Sequence, residues 1–200
     1  MMSYQLTYIT ILLLLTALPV AAQAEAGAGK AACYSAIASS PDNPSTLQIC
    51  SAALTEQVTA PASERAHLLS AMVWLHALNR DITASNSALR QIDADVRNDP
   101  VVLNNLGGAL LLQQRYDSAL AEFDQAMAIA TDPKTTAMVQ LNRSLALRAL
   151  GRYADAAEAY DDYLQTYQSS NTEPPGIIEP TVPVDRPVMR DDLGPLESRN

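Results

Sequence analysis

Two stretches of the chain superpose on each other, which constrains the fold more than any single motif. "NNLGGALLLQQRYDSALAEFDQAMAIATDP" (104–133) matches "LNRSLALRALGRYADAAEAYDDYL" (141–164) when Tyr116 is laid on Tyr153. Asn105 then meets Asn142, Ala119 meets Ala156 and Phe123 meets Tyr160, at an offset of 37 residues. A repeat of this length is one supersecondary unit. It cannot bury its apolar face alone, so it stacks on a copy of itself. The spacing within each copy is helical. Ala119, Leu120, Phe123, Ala126, Met127 and Ala130 share one face, as do Tyr153, Ala156, Ala157, Tyr160, Tyr163, Leu164 and Tyr167.

A weaker third copy, "LLSAMVWLHALNRDITASNSALRQI" (68–92), precedes these. Two registers are open. Placing Ile82 where Tyr116 sits puts Ser85, Leu89 and Ile92 at core places of the second helix. A register one residue earlier puts Ala84 at the small-residue place.

Helix starts are marked by Asn43-Pro44, Asp99-Pro100 and Asp132-Pro133. The Asx side chain accepts from free amides, and Pro has no amide to leave unsatisfied there. Ala60-Pro61 is a weaker version, and Gly151 reads as a helix end. The predicted helices are 29–39, 44–58, 61–78, 82–97, 100–114, 116–131, 133–150 and 152–168, paired as four antiparallel hairpins. The fold class is all-α: an α-solenoid of stacked hairpins. A capping hairpin would occupy 25–60, a degenerate repeat 61–98, and clear repeats 100–133 and 134–168.

These residues resemble the tetratricopeptide repeat family. Leu106-Gly107, Tyr116, Ala119, Phe123 and Ala126 match its signature in the first clear copy, and "ALGRYADAAEAY" (149–160) is close to its commonest turn and second-helix wording. Arg143-Ser144 replaces Leu-Gly in the second clear copy, where the small Ser keeps a close helix contact possible. The resemblance implies a TPR-like superhelix whose first helices line a concave groove for a peptide. The matching positions are Asn104, Asn105, Gly108, Leu111 and Leu112, then Leu141, Asn142, Leu145, Arg148 and Ala149. In that reading Asn105 and Asn142 donate to and accept from an extended peptide backbone, and Arg148 pairs with a carboxylate. The leucines favour an apolar ligand, and Trp74 adds an aromatic wall. Gly107 is the small residue at the close contact with the paired helix. Gly108, about 100° further round, leaves room in the groove beside Asn105 and Leu112.

The N-terminus reads as an export signal over 1–24. "ITILLLLTALPV" is a continuous apolar run, and Ala22-Gln23-Ala24 places cleavage between Ala24 and Glu25. No Lys or Arg precedes the run, and an uncleaved anchor is the rival reading, though the run is short for a span. Export implies a periplasmic or secreted protein with no membrane span after cleavage. In that oxidising compartment the mature chain's two cysteines, Cys33 and Cys50, predict a disulfide; two buried free thiols are the alternative. Residues 169–200 are rich in Pro and scattered charge, without a period, and read as a disordered tail.

The formal net charge of −9 leaves no basic stripe for a nucleic acid. Gly107-Gly108 has no GxxxxGK[ST] or GxGxxG around it. His67 and His76 lie on opposite sides of a helix, so they cannot chelate one metal. Asp93/Asp95 and Asp161-Asp162 read as solvated faces, and no Ser or Thr sits in a nucleophile motif. The expectation is an exported, non-catalytic scaffold that binds a protein or peptide in its groove, without cofactor or metal. The alternative is a self-associating component whose groove holds its own tail or a second copy (a possible homo-oligomer). An enzyme or small-ligand binder comes last.

Overall fold

The computed structural model describes residues 20–169. Within them lie eight α-helices and no strand: α1 (Val20–Ser39), α2 (Pro44–Glu56), α3 (Ala62–Leu78), α4 (Ile82–Leu89), α5 (Pro100–Leu112), α6 (Tyr116–Ile129), α7 (Pro133–Ala149) and α8 (Tyr153–Ser169), with a 3₁₀ turn at Ala94–Val96. The Asx-Pro starts hold. Asn43 accepts from Ser45 N at 3.0 Å, Asp99 from Val101 N at 2.9 Å, and Asp132 from Thr135 N at 2.8 Å. At the weaker start Pro61 is itself the cap, and no side chain accepts there.

Two boundaries depart from expectation. Helix α1 begins nine residues before the predicted 29 and runs through Ala24 and Glu25. The rest of the predicted signal, and the predicted tail beyond Ser169, lie outside the described residues. Helix α4 stops at Leu89 rather than continuing to 97. Four of its eight residues are Thr83, Ser85, Asn86 and Ser87, whose side chains favour the caps and turns that compete with a helix. The following turn tucks Ile92 into the core, and Asp93 then takes an extended conformation.

The helices pack as successive hairpins, α1/α2, α3/α4, α5/α6 and α7/α8. Helix α2 leans on α3, α5 lies between α3 and α7, and α6 packs on α7. Cys33, Ile37, Cys50, Leu69, Trp74 and Leu106 belong to one apolar core; Leu103, Phe123, Val139 and Leu147 belong to the next. Helix α5 feeds both, which makes the stack a short solenoid. Cys33 and Cys50 form a disulfide that staples α1 to α2, and no cysteine is free. A loop of this size gives a bridge worth ~3 kcal/mol.

The turns after α3, α5 and α7 share one geometry. Arg80, Gln114 and Gly151 adopt φ of 61°, 60° and 76°. Their amides bond back to Ala77, Leu111 and Arg148, and the next residues' amides to His76, Leu110 and Leu147. This is the Schellman ending, three times over. It fixes the register of the weak copy: Arg80 corresponds to Gln114, so Ile82 corresponds to Tyr116. Ser85 therefore takes the small-residue place, rather than Ala84. It is buried, and its hydroxyl donates to the Val73 carbonyl at 2.9 Å.

At Gly107 helix α5 comes close against α6. A Cβ added there would lie 2.5 Å from Cε1 of the fully buried Phe123. Gly107→Ala should therefore lower stability by about 1–3 kcal/mol in urea unfolding, although Ala is the better helix former. Combining it with Phe123→Leu should cost less than the two changes separately. An alanine variant as stable as the parent would show that the ring does not enforce the glycine.

Candidate functional site

The first helices α3, α5 and α7 stack side by side, and a polar ladder runs between them. Asn105 Nδ2 donates to Ser70 Oγ at 3.0 Å, and Asn142 Nδ2 donates to Asn104 Oδ1 at 2.9 Å. Ser70 in turn donates to the His67 carbonyl at 2.9 Å. Ser70 and Asn104 are equivalent positions, as are Asn105 and Asn142, so the same bond recurs one repeat along. All four side chains are buried.

This corrects the expectation that Asn104, Asn105 and Asn142 face an open groove. Helix α5 is packed by α3, α6 and α7, and the faces that carry these asparagines lie against α3 and α7. Its asparagines serve the neighbouring helix. Gly108 is buried for the same reason and is not an opening in a groove wall. Trp74, at the equivalent place in α3, is 1% exposed and belongs to the core rather than to an exposed aromatic wall. Leu141 is half-buried and does not reach the cavity described next.

Helix α5 is less enclosed at its C-terminal end. There a cavity of about 300 Å³ opens across all three first helices. Leu111, Leu112, Leu145, Arg148 and Ala149, five of the positions assigned to a groove from sequence, line it. Ala77, Leu78, Arg80, Gln114 and Tyr116 line it too, and sequence reasoning did not single them out for a groove. The signal for Arg80 and Gln114 was present in the repeat alignment. Both fall on Gly151, the residue just past the helix end.

The electrostatics of this end are distinctive in an acidic chain. Arg80 is exposed and Arg148 half-buried, and neither is within ion-pair distance of a carboxylate among the described residues. The backbone supplies a second observation. Arg80 and Gln114 hold the left-handed conformation that costs a non-glycine residue about 1–2 kcal/mol. Gly151 occupies the third such turn, and nothing lies within 4 Å of where its Cβ would stand. Of the three left-handed residues, Arg80 and Gln114 line the cavity and Gly151 does not.

His67 and Tyr34 lie half-buried in the first hairpins, away from this cavity. His67 Nε2 lies 3.0 Å from Asp99 Oδ1, the carboxylate that caps α5, so it ties α3 to the next repeat. Burial, then the Asp99 and Glu64 carboxylates, push the Tyr34 hydroxyl up to about 12. Among the described residues no group of three or more His, Cys, Asp or Glu is placed to hold a metal ion, and no helix is long and apolar enough to cross a membrane.

Residues 99–169 match the family model for the tetratricopeptide repeat, covering α5 to α8 and their caps. No curated protein and no solved structure matches the chain. Repeats of this family generally mediate protein–protein interaction, and the family is typically non-catalytic. Family model, hairpin geometry and recurring turn agree: residues 99–169 form tetratricopeptide repeats.

Proposed function

We propose that this chain is an exported, non-catalytic adaptor that holds a segment of another protein at the C-terminal ends of its first helices. The observation that carries this reading is the cavity shared by three successive repeats, with Leu111, Leu112 and Leu145 as its apolar wall and Arg80 and Arg148 as unpaired cations. Such a site suits an extended segment that carries both an apolar side chain and a carboxylate. A guanidinium offers a carboxylate two parallel hydrogen bonds, and the leucines exclude water around them. Export follows from the apolar N-terminal run and the Ala24–Glu25 cleavage position. The Cys33–Cys50 disulfide accords with an oxidising compartment.

Photo-crosslinking from position 114 in cells that produce the full chain tests this. The expected product is one heterologous protein, attached through an acidic, apolar segment, and lost in the Arg80→Glu, Arg148→Glu double variant. Crosslinks to the chain's own residues 170–200, or to a second copy, would replace the adaptor by the self-filled reading. Crosslinks that survive the charge reversal would remove this cavity from recognition altogether.

The left-handed turns make a separate prediction. Gln114→Gly should raise stability by about 0.5–1 kcal/mol, since Gly relieves the backbone cost and gives back part of it as unfolded-state entropy. The same change should weaken partner binding. A glycine variant that binds as well as the parent would show that the side chain is not there for recognition.

A further inference from the structure

The early end of α4 has a consequence on the opposite side of α5. In the first clear repeat the second helix, α6, runs far enough to pack on the next first helix, α7. Helix α4 ends after eight residues and touches α5 only marginally. The space left between α4, α5 and α6 is a cavity of about 400 Å³. It shares no lining residue with the cavity at the ends of the first helices.

Leu89, Leu106 and Leu110 give this cavity its apolar lining, beside the polar Ser85, Asn86, Gln113 and Ser118. Arg97 and Arg115 both line it, one from the segment after α4 and the other from the turn before α6. Both are exposed, and neither makes an ion pair or side-chain hydrogen bond among the described residues. Glu122 also lines the cavity and is half-buried. Burial raises its carboxyl pKa, and Arg97 pulls it back less strongly. Two cations and one carboxyl leave one positive charge to be met when Glu122 is ionised. A doubly charged phosphate would overbalance it, whereas a single carboxylate would not.

From this placement of charge and apolar surface we infer that the cavity between α4, α5 and α6 binds a monocarboxylate with a medium-length apolar chain. The carboxylate sits between Arg97 and Arg115, and the chain lies on Leu89, Leu106 and Leu110. A cavity of this volume falls within the range of small-ligand sites. Two guanidinium groups supply orientation and the leucines supply affinity. The two cavities make this site independent of the adaptor reading.

Calorimetric titration of the full chain with octanoate tests the assignment. Saturable binding at one site per chain is expected. Arg97→Gln and Arg115→Gln should each weaken it about tenfold, as expected for loss of one charge-assisted contact. Ala121→Trp, a change at an exposed lining residue, should abolish it while the helical circular dichroism stays that of the parent. Octan-1-ol binding as tightly as octanoate would remove the role of the arginines and overturn the proposal. So would octanoate binding unaffected by all three variants, or no binding at millimolar concentration. Loss of binding in Arg148→Gln with Arg97 and Arg115 intact would place the anion in the other cavity and equally overturn it.

Discussion

Asn142 gives its side-chain amide to Asn104 across the α5–α7 interface, and Asn105 gives its own to Ser70 across the α3–α5 interface. Apolar surfaces alone let neighbouring helices slide, because burial has no direction. A buried amide has direction and is costly to leave unmade. The recurring bond thus sets how far each first helix is advanced along the next. It is an imperfect ladder: Asn104 Nδ2 is buried without a partner, and Leu141 stands where α7 would offer the next acceptor. The advance it fixes brings the three Schellman endings to one end of the stack. That end is where Arg80, Gln114 and Arg148 border a common cavity.

Openings arise where the repeat departs from its own rule. Where the second helix is full length, as in α6, it packs against the following first helix. Where it is cut short, as in α4, it leaves the Arg97–Arg115 cavity behind it. Likewise the left-handed turn position takes Gly where nothing lies nearby, and Arg or Gln where the side chain reaches a cavity. The regular parts, Gly107 under Phe123 and Ser85 under Val73, hold the helices at the spacing that makes these exceptions usable.

Much of the architecture was legible in the residues because its causes are local. An Asx-Pro pair caps a helix wherever it occurs, a glycine opposite an aromatic ring marks a close approach, and helical periodicity needs no tertiary context. The asparagines were misjudged for the opposite reason. A polar residue on a first helix looks the same in sequence whether it meets a ligand or the next repeat, and only the neighbours of α5 decide. The end of α4 was missed because Ile92 and Val96 keep the helical spacing although the backbone has turned, so periodicity ran past the true boundary. Arg80 was hidden by its identity, since a left-handed helix end is sought as Gly and this chain places Arg there. Cavity residues Leu112, Leu145 and Arg148 were found because the repeat positions are equivalent, whereas the charge at Arg80 needed the register to be settled first.

The bond between successive first helices is best measured by a double-mutant cycle on Asn104 and Asn142. Each alanine variant should destabilise the protein, because each leaves a buried amide group without its partner. The double variant should cost less than the sum, with a coupling of about 1–2 kcal/mol in urea unfolding. Costs that add to within about 0.3 kcal/mol would contradict a ladder that sets the register of the stack.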